Sequence, residues 1–143
     1  MIRKISSQDT YVVRHPVLRP GKPIETCRFD GDDLPTTQHF GFFENGKIIG
    51  VATILHSSHD NWPNENCFQL RGMAVLPEFQ GKKIGAQLVH FIEKELPSPK
   101  VIWFNARISA RVFYEKLGYK SIGDVFEVVG IGPHVVMFRS WNS

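Results

Sequence analysis

The sequence predicts a mixed α/β fold, and three observations indicate it. Residues 70–88 read as an apolar strand, a proline, a glycine-bearing basic turn and an amphipathic helix. Asn45-Gly46 lies between two apolar runs and is the strongest hairpin signal in the chain. The elements follow the order β-α-β-β-β-α-β-α-β-β, with no repeat or linker, so we expect one domain over residues 1–143.

The N-terminal elements follow from local signals. A strand over Ile2–Ile5 precedes Ser6 and Asp9, whose spacing predicts a capping box. The helix through Tyr11–Val13 should bend or end near Pro16. Glycines and prolines predict a long loop over residues 19–37, followed by hairpin strands over His39–Glu44 and Lys47–His56 and a polar loop over Ser57–Asn66.

The segment after this loop predicts an anion-binding turn. A strand over Leu70–Leu76 ends at Pro77, which has no N–H for a ladder. Gln80–Gly85 forms the turn, and a helix is expected over Gly81–Leu96 because apolar residues follow at helical spacing, namely Ile84, Leu88, Phe91 and Ile92. Free backbone N–H groups at a helix start suit a phosphate, and glycine allows close approach.

The C-terminal third of the chain is also predicted to contain alternating strands and helices. We expect a strand over Val101–Phe104, then a helix over Arg107–Leu117 that ends at Gly118. The final strands are predicted over Tyr119–Ile122, Val125–Val129 and Val135–Trp141.

Composition excludes several classes of protein. The hydrophobic (42%) and charged (22%) fractions argue against disorder, and no apolar run is long enough to span a bilayer. The N-terminus lacks a signal region, which points to the cytoplasm, where Cys27 and Cys67 should be free thiols. We expect no metal site, since His56, His59 and Asp60 fit a solvated loop better.

The net charge of +3 comes without a nucleic-acid-binding motif. Much of the excess lies in Lys82, Lys83, Arg107 and Arg111, where it suits attraction of a polyanion, with a generally solvated surface as the alternative.

Two blocks together resemble the GNAT family, the Gcn5-related N-acetyltransferases. The family's turn reads Gln/Arg-x-x-Gly-x-Gly/Ala, and this chain has Gln80-x-x-Lys83-x-Gly85. The family's later helix ends in an aliphatic-Tyr-Glu-Lys-x-Gly-Phe/Tyr run, matched here over residues 113–119. The resemblance covers roughly residues 38–120, and Arg71–Val75, Asn105–Arg107 and Gly132–His134 are similar to the small ElaA-like branch. Lys83 replaces a usual glycine, and Arg107 stands where many members carry asparagine.

The resemblance implies a mostly antiparallel sheet with a central parallel strand pair flanked by helices. It also implies acetyl-CoA as the acetyl donor and an amine acceptor, without nucleic acid or membrane, and it is compatible with a homodimer. A strand bulge would let the backbone of Met73–Val75 hold the pantetheine arm. The implied cofactor-binding residues are Met73, Ala74, Val75, Gln80, Gly81, Lys82, Lys83, Ile84, Gly85, Ala86, Asn105, Arg107, Phe113 and Tyr114.

Tyr114 is the candidate acid, because a phenol can hold a proton for the departing thiolate. Packing in the core is its structural alternative. His134 is the candidate base, since imidazole is suited to proton transfer at neutral pH. Glu65, Gln69 and Arg71 lie near or on the central strand, and a water relay is the main alternative base. Arg14 and Arg19 either meet an anionic acceptor or are solvated surface arginines.

The expected function is therefore transfer of an acetyl group from acetyl-CoA to a primary amine, by direct attack in a ternary complex. A non-catalytic acyl-CoA-binding sensor or interaction module is the alternative. A nucleotide-binding protein is a third reading, but the turn lacks the Gly-Lys-Ser/Thr ending and the Rossmann glycine triplet that such proteins use.

Overall fold

The computed structural model describes residues 1–142, which form two compact units. The first unit comprises Met1–His56 and Leu70–Leu96, and the second comprises residues 57–69 and the chain from Pro97 onward. One strand, Cys67–Val75, contributes its N-terminal part to the second unit and its C-terminal part to the first. None of the helices formed by residues 1–142 combines the length and apolarity that a bilayer crossing requires.

The first unit is built around an antiparallel strand meander. Its strand β1 (Ile2–Ile5) pairs with β2 (Gln38–Glu44), and β2 pairs with β3 (Lys47–His56). Asn45 and Gly46, between β2 and β3, take the positive φ angles (52° and 76°) of a two-residue hairpin. The predicted hairpin is therefore confirmed. The elements of this unit are β1 (Ile2–Ile5), α1 (Tyr11–Leu18), β2 (Gln38–Glu44), β3 (Lys47–His56), the C-terminal part of β4 (Cys67–Val75) and α2 (Ile84–Glu95).

The start and the end of the first helical segment both follow signals in the sequence. The Asp9 N–H donates to Ser6 Oγ (3.1 Å) and the Ser6 N–H donates to Asp9 Oδ2 (3.2 Å), which confirms the capping box. Helix α1 includes Pro16 and ends two residues later at Leu18, close to the predicted position. The carbonyl that proline leaves without an N–H partner belongs to Val12, which is exposed and open to water.

Strand β4 and helix α2 differ in extent from the prediction. β4 begins at Cys67, three residues before the predicted strand, because Cys67–Gln69 pair with a neighbouring strand. Helix α2 begins at Ile84 rather than at Gly81, since Gly81 and Lys83 have φ angles of +80° and +65°, which a right-handed helix excludes. The predicted apolar stripe is confirmed, with Leu88 and Ile92 in the core.

The second unit contains β5 (Lys100–Arg107), α3 (Arg111–Lys116), β6 (Lys120–Val128) and β7 (Gly132–Trp141). β5 is longer than predicted and includes Asn105 and Arg107, so the helix starts four residues later than expected. The two strands predicted over residues 119–129 are one strand, β6, with an irregularity at Gly123 (φ +80°), and β7 begins three residues before Val135.

The end of α3 confirms the role of Gly118, which has φ +95°. Its N–H donates to the Glu115 carbonyl (3.0 Å) and the Tyr119 N–H donates to the Tyr114 carbonyl (3.1 Å). This is the Schellman pattern, which satisfies the last carbonyls of a helix.

The seven strands are hydrogen-bonded in the order β1-β2-β3-β4-β5-β7-β6. β4 and β5 are parallel, through Cys67–Gln69 and Val101–Trp103, whereas β5 pairs antiparallel with β7 and β7 with β6. The predicted mixed sheet with a central parallel pair is therefore confirmed. The first unit's core includes Val13, Phe40, Val51, Ile54, Leu88 and Ile92, and the second unit's includes Ile102, Phe104, Tyr119 and Met137.

Candidate active site

The C-terminal half of β4 carries a backbone irregularity at Gly72. Gly72 has φ +58°, and a left-handed residue inside a strand is typical of a bulge. A Cβ at this position would lie 3.0 Å from Arg14 Nε and 3.2 Å from the Phe29 ring, so only glycine fits. The irregularity directly precedes Met73–Val75, the residues whose backbone the family resemblance implies as an anchor.

Two hydrogen bonds hold the end of β4. The Gln80 side-chain amide donates to the Val75 carbonyl (3.0 Å), and the Leu76 N–H donates to the Ile49 carbonyl (2.9 Å). Gln80, at the start of the predicted turn, therefore ties that turn to the strand before it.

The turn before α2 presents donors and positive charge together. Gly81 is exposed, and a Cβ there would meet nothing within 4 Å. The first intrahelical bond runs from the Gln87 N–H to the Lys83 carbonyl (3.0 Å), and no side chain among residues 1–142 caps α2. The N–H groups of residues 84–86 are consequently free of helical partners, as at other helix starts. Together with the helix dipole and two adjacent lysines, this geometry suits an anion.

Tyr114 lies in the second unit, on α3, and its ring is packed. The ring centroid is 4.3 Å from that of Phe104 and 5.0 Å from that of Phe113, and only 8% of the residue is exposed. Burial raises the pKa of the Tyr114 hydroxyl.

His134 lies buried on β7, and one of its ring nitrogens makes a hydrogen bond to the backbone. Its Nδ1 lies 2.9 Å from the Gly132 carbonyl, and its ring stacks against Phe126 with centroids 6.0 Å apart. A carbonyl only accepts hydrogen bonds, so Nδ1 must carry the proton. In the neutral ring this leaves the Nε2 lone pair available to accept one.

Strand β5 separates the two candidates. Tyr114 packs on Phe104, whereas His134 pairs in register with Arg107, which is three residues further along and therefore on the other face. Asn105 and Arg107 are both exposed on the His134 face of β5. Phe113 lies on α3 and is 36% exposed.

Comparison with known proteins assigns the family. Residues 28–138 match the family model described as an acetyltransferase (GNAT) domain. This chain belongs to the GNAT family.

Relatives of this GNAT chain agree with that assignment and with the ElaA-like branch. It is 36% identical to the N-acetyltransferase YitI of Bacillus subtilis (strain 168) over 141 residues, which cover 97% of this chain and 95% of YitI. It is 30% identical to protein ElaA of Escherichia coli (strain K12) over 118 residues, covering 77% of this chain and 71% of ElaA.

Solved structures share the fold at low sequence identity. The crystal structure of E. coli ElaA superposes with a TM-score of 0.75 at 20% identity, over 98% of this chain and 99% of that chain. An aminoglycoside 6'-N-acetyltransferase solved in complex with coenzyme A superposes with a TM-score of 0.77 at 15% identity, over 98% and 96% of the two chains. The GNAT chain is thus an acetyltransferase in family and in fold.

The structure distributes the predicted site residues of this GNAT chain between the two units. Met73–Val75 and Gln80–Ala86 belong to the first unit, around the end of β4 and the start of α2. Asn105, Arg107, Phe113, Tyr114 and His134 belong to the second unit, on β5, α3 and β7. No group of three or more His, Cys, Asp or Glu side chains in the described residues is arranged to hold a metal ion.

Both sequence interpretations of Arg14 were wrong. Arg14 is fully buried, and its guanidinium donates to Asp32 Oδ2 (2.6 Å) and Oδ1 (3.1 Å), to the Cys27 carbonyl (2.8 Å) and to Thr53 Oγ1 (2.9 Å). These partners come from 13 to 39 residues along the chain, so no local pattern indicates them. Arg14 also lies against Gly72, which makes it a support for β4 rather than a surface residue.

Proposed function

We propose that this GNAT protein transfers the acetyl group of acetyl-CoA to a primary amine by direct attack in a ternary complex. Family membership supports acetyl transfer, and the relative solved with coenzyme A supports a CoA-type donor. The observation that carries the proposal is the uncapped turn at residues 80–86. Its free N–H groups, open glycine and two lysines match the diphosphate of such a donor.

The donor would be held by the first unit's backbone. The N–H groups between Gly81 and Ala86 bind the diphosphate, while the strand irregularity at Gly72 frees the backbone of Met73–Val75 to pair with the pantetheine arm. An N–H of this stretch polarises the thioester carbonyl, which lowers the barrier to attack. Asn105, Arg107 and Phe113 are further proposed cofactor contacts.

The chemistry requires two proton movements. The amine nitrogen forms a bond to the carbonyl carbon, the carbon–sulfur bond breaks, and the amine loses a proton. Tyr114 gives its proton to the departing thiolate of CoA and is reprotonated from solvent. Burial raises the pKa of the Tyr114 hydroxyl, so it stays protonated at neutral pH, which supports this role.

His134 is the proposed acceptor of the amine proton. The Gly132 carbonyl orients its ring with the Nε2 lone pair free. Because His134 and Tyr114 lie on opposite faces of β5, acid and base do not compete for one proton.

Incubation of the purified protein with acetyl-CoA and a panel of primary amines tests the function. The panel should include peptides, polyamines, amino sugars and short alkylamines, with free thiol measured over time and the acetylated amine identified by mass. We expect thiol release that depends on one amine class. Tight CoA binding without any amine-dependent release would refute the catalytic proposal and favour the binding-module alternative.

A further inference from the structure

Gly50 lies near the start of β3, at a position where a side chain has no room. A Cβ there would lie 2.9 Å from Ile84 Cγ2, 3.3 Å from Leu88 Cδ1 and 3.5 Å from Val75 Cγ2. Gly50 is buried and does not have a positive φ angle, so its backbone is open to any residue. The fold therefore requires glycine here for space and not for conformation.

The atom closest to Gly50 is attached rigidly to helix α2. Ile84 is the first residue of α2, and its Cγ2 methyl branches directly from its Cβ. A β-branched side chain in a helix has one strongly preferred χ1 rotamer, so this methyl does not turn away without cost. Packed carbon atoms lie about 3.5–4.0 Å apart. A methyl group on Gly50 would consequently push the start of α2 away from β3 by about half an ångström.

The backbone of Ile84 belongs to the turn that the donor diphosphate is proposed to occupy. Its N–H is the first of the three N–H groups, at residues 84–86, that have no helical partner. A hydrogen bond weakens once its donor and acceptor are more than about 3.2 Å apart, so a shift of this size matters for binding.

Gly50 also lies beside the end of β4, the other part of the proposed donor site. Val75 is the third residue that a side chain at position 50 would contact, and it belongs to the stretch proposed to pair with the pantetheine arm. The Leu76 N–H donates to the carbonyl of Ile49, the residue directly before Gly50 (2.9 Å). All these residues belong to the first unit. Gly50 is thus packed against both backbone segments that would hold the donor.

We propose that Gly50 is a positioning residue for the acyl donor. Its missing side chain lets the start of α2 lie directly on β3, and this contact sets where the free N–H groups of residues 84–86 meet the diphosphate of CoA. This inference rests on the proposed function. Gly50 acts through Ile84, with no contact of its own to the donor.

A pair of substitutions tests the contact itself. Gly50→Ala adds the single methyl group that has no room. Ile84→Leu removes the Cγ2 branch that this methyl would meet and keeps the side-chain volume. The double variant Gly50→Ala/Ile84→Leu should therefore let α2 return to its position on β3.

Gly41 offers a matched control in the same unit. It is a second buried strand glycine without a positive φ angle, and a Cβ there would lie 3.1 Å from Ile5 Cδ1 and 3.3 Å from the Phe43 ring. Gly41 pairs in register with Val51, so it lies on the opposite face of the sheet from Gly50 and α2. Gly41→Ala thus crowds the sheet equally without touching the turn.

Wild type and the four variants are compared by the Kd of CoA in calorimetry and by the midpoint of urea unfolding. We expect Gly50→Ala to raise the Kd about tenfold, roughly the loss of one hydrogen bond to a charged group. Gly41→Ala should leave the Kd unchanged even where it lowers the unfolding midpoint. Ile84→Leu should restore most of the lost affinity in the Gly50→Ala background, and its effect there should differ from its effect in wild type, because the two residues are in contact.

Unchanged CoA affinity in folded Gly50→Ala would overturn the inference while leaving the proposed function standing. An equal loss in Gly41→Ala would also overturn it, because crowding anywhere in the sheet would then explain the effect. If Gly50→Ala does not fold by itself, the double variant decides, and a folded double variant that binds CoA no better than about tenfold below wild type would contradict the role of Ile84. If wild type binds no CoA, the proposed function fails, and this inference fails with it.

Discussion

Replacing Arg14 with methionine should cost more stability than any surface substitution in the first unit. The Arg14–Asp32 pair is almost completely buried, with side-chain exposures of 0% and 1%. Methionine fills a similar volume but removes all four guanidinium contacts. Asp32 then keeps the Phe29 N–H (2.9 Å) as its hydrogen-bond donor while its charge loses the paired cation.

The magnitude follows from that unpaired charge. Breaking a buried ion pair from one side costs about 3–5 kcal/mol, whereas removing both charges is often close to neutral. We therefore expect Arg14→Met to lower the free energy of unfolding by about 3–5 kcal/mol. The double variant Arg14→Met/Asp32→Asn should be no less stable than Arg14→Met alone, since its second change removes the uncompensated charge.

Urea unfolding followed by fluorescence measures these free energies, and the chain offers a matched control. Arg28 pairs with Asp33 at 2.9 Å, but the two side chains are 70% and 55% exposed, so Arg28→Met should cost less than about 1 kcal/mol. A loss below about 1 kcal/mol for Arg14→Met would refute the reasoning, as would strictly additive losses in the double variant. Because Arg14 abuts Gly72, the folded fraction of Arg14→Met should also bind CoA more weakly.

Four further predictions follow from the site. Tyr114→Phe should lower turnover about 10²- to 10⁴-fold with little change in CoA affinity or Tm, and full activity in the folded variant would remove the acid role. Because burial raises the pKa of Tyr114, the neutral Tyr114 hydroxyl contributes fully to stability below about pH 10, and this contribution declines as the pH rises further. Wild type should therefore lose more stability than Tyr114→Phe when unfolding is measured at increasingly alkaline pH. CoA affinity should fall with salt, and less steeply when Lys82 and Lys83 are both alanine; equal slopes in a calorimetric titration would exclude their electrostatic role. The Lys83→Gly protein should have a free energy of unfolding about 1 kcal/mol higher than the Lys83→Ala protein. Both variants lose the lysine charge, but only glycine adopts the φ of +65° without strain, so equal stabilities would contradict that strain.

The amino-acid sequence by itself determined the local features of this protein, because they depend on neighbouring residues. Asn45-Gly46, the Ser6–Asp9 capping box and Gly118 each depend on contacts within a few residues, and all three were confirmed. The order of helices and strands was also predictable, because periodicity is a property of short windows. The turn at residues 80–85 combines glycine and lysine locally, so the candidate site for the donor could be placed from sequence.

Only the tertiary structure decided the start of α2, the burial of Arg14 and the close packing on Gly50. Lysine has no preference for positive φ, so nothing in the sequence places Lys83 outside the helix. The partners of Arg14 lie up to 39 residues away, and Ile84 packs against Gly50 from some 34 positions further on. Whether a polar side chain is paired, or a glycine has room for a side chain, depends on elements that meet only after the chain has folded, and a sequence read in order does not contain those contacts.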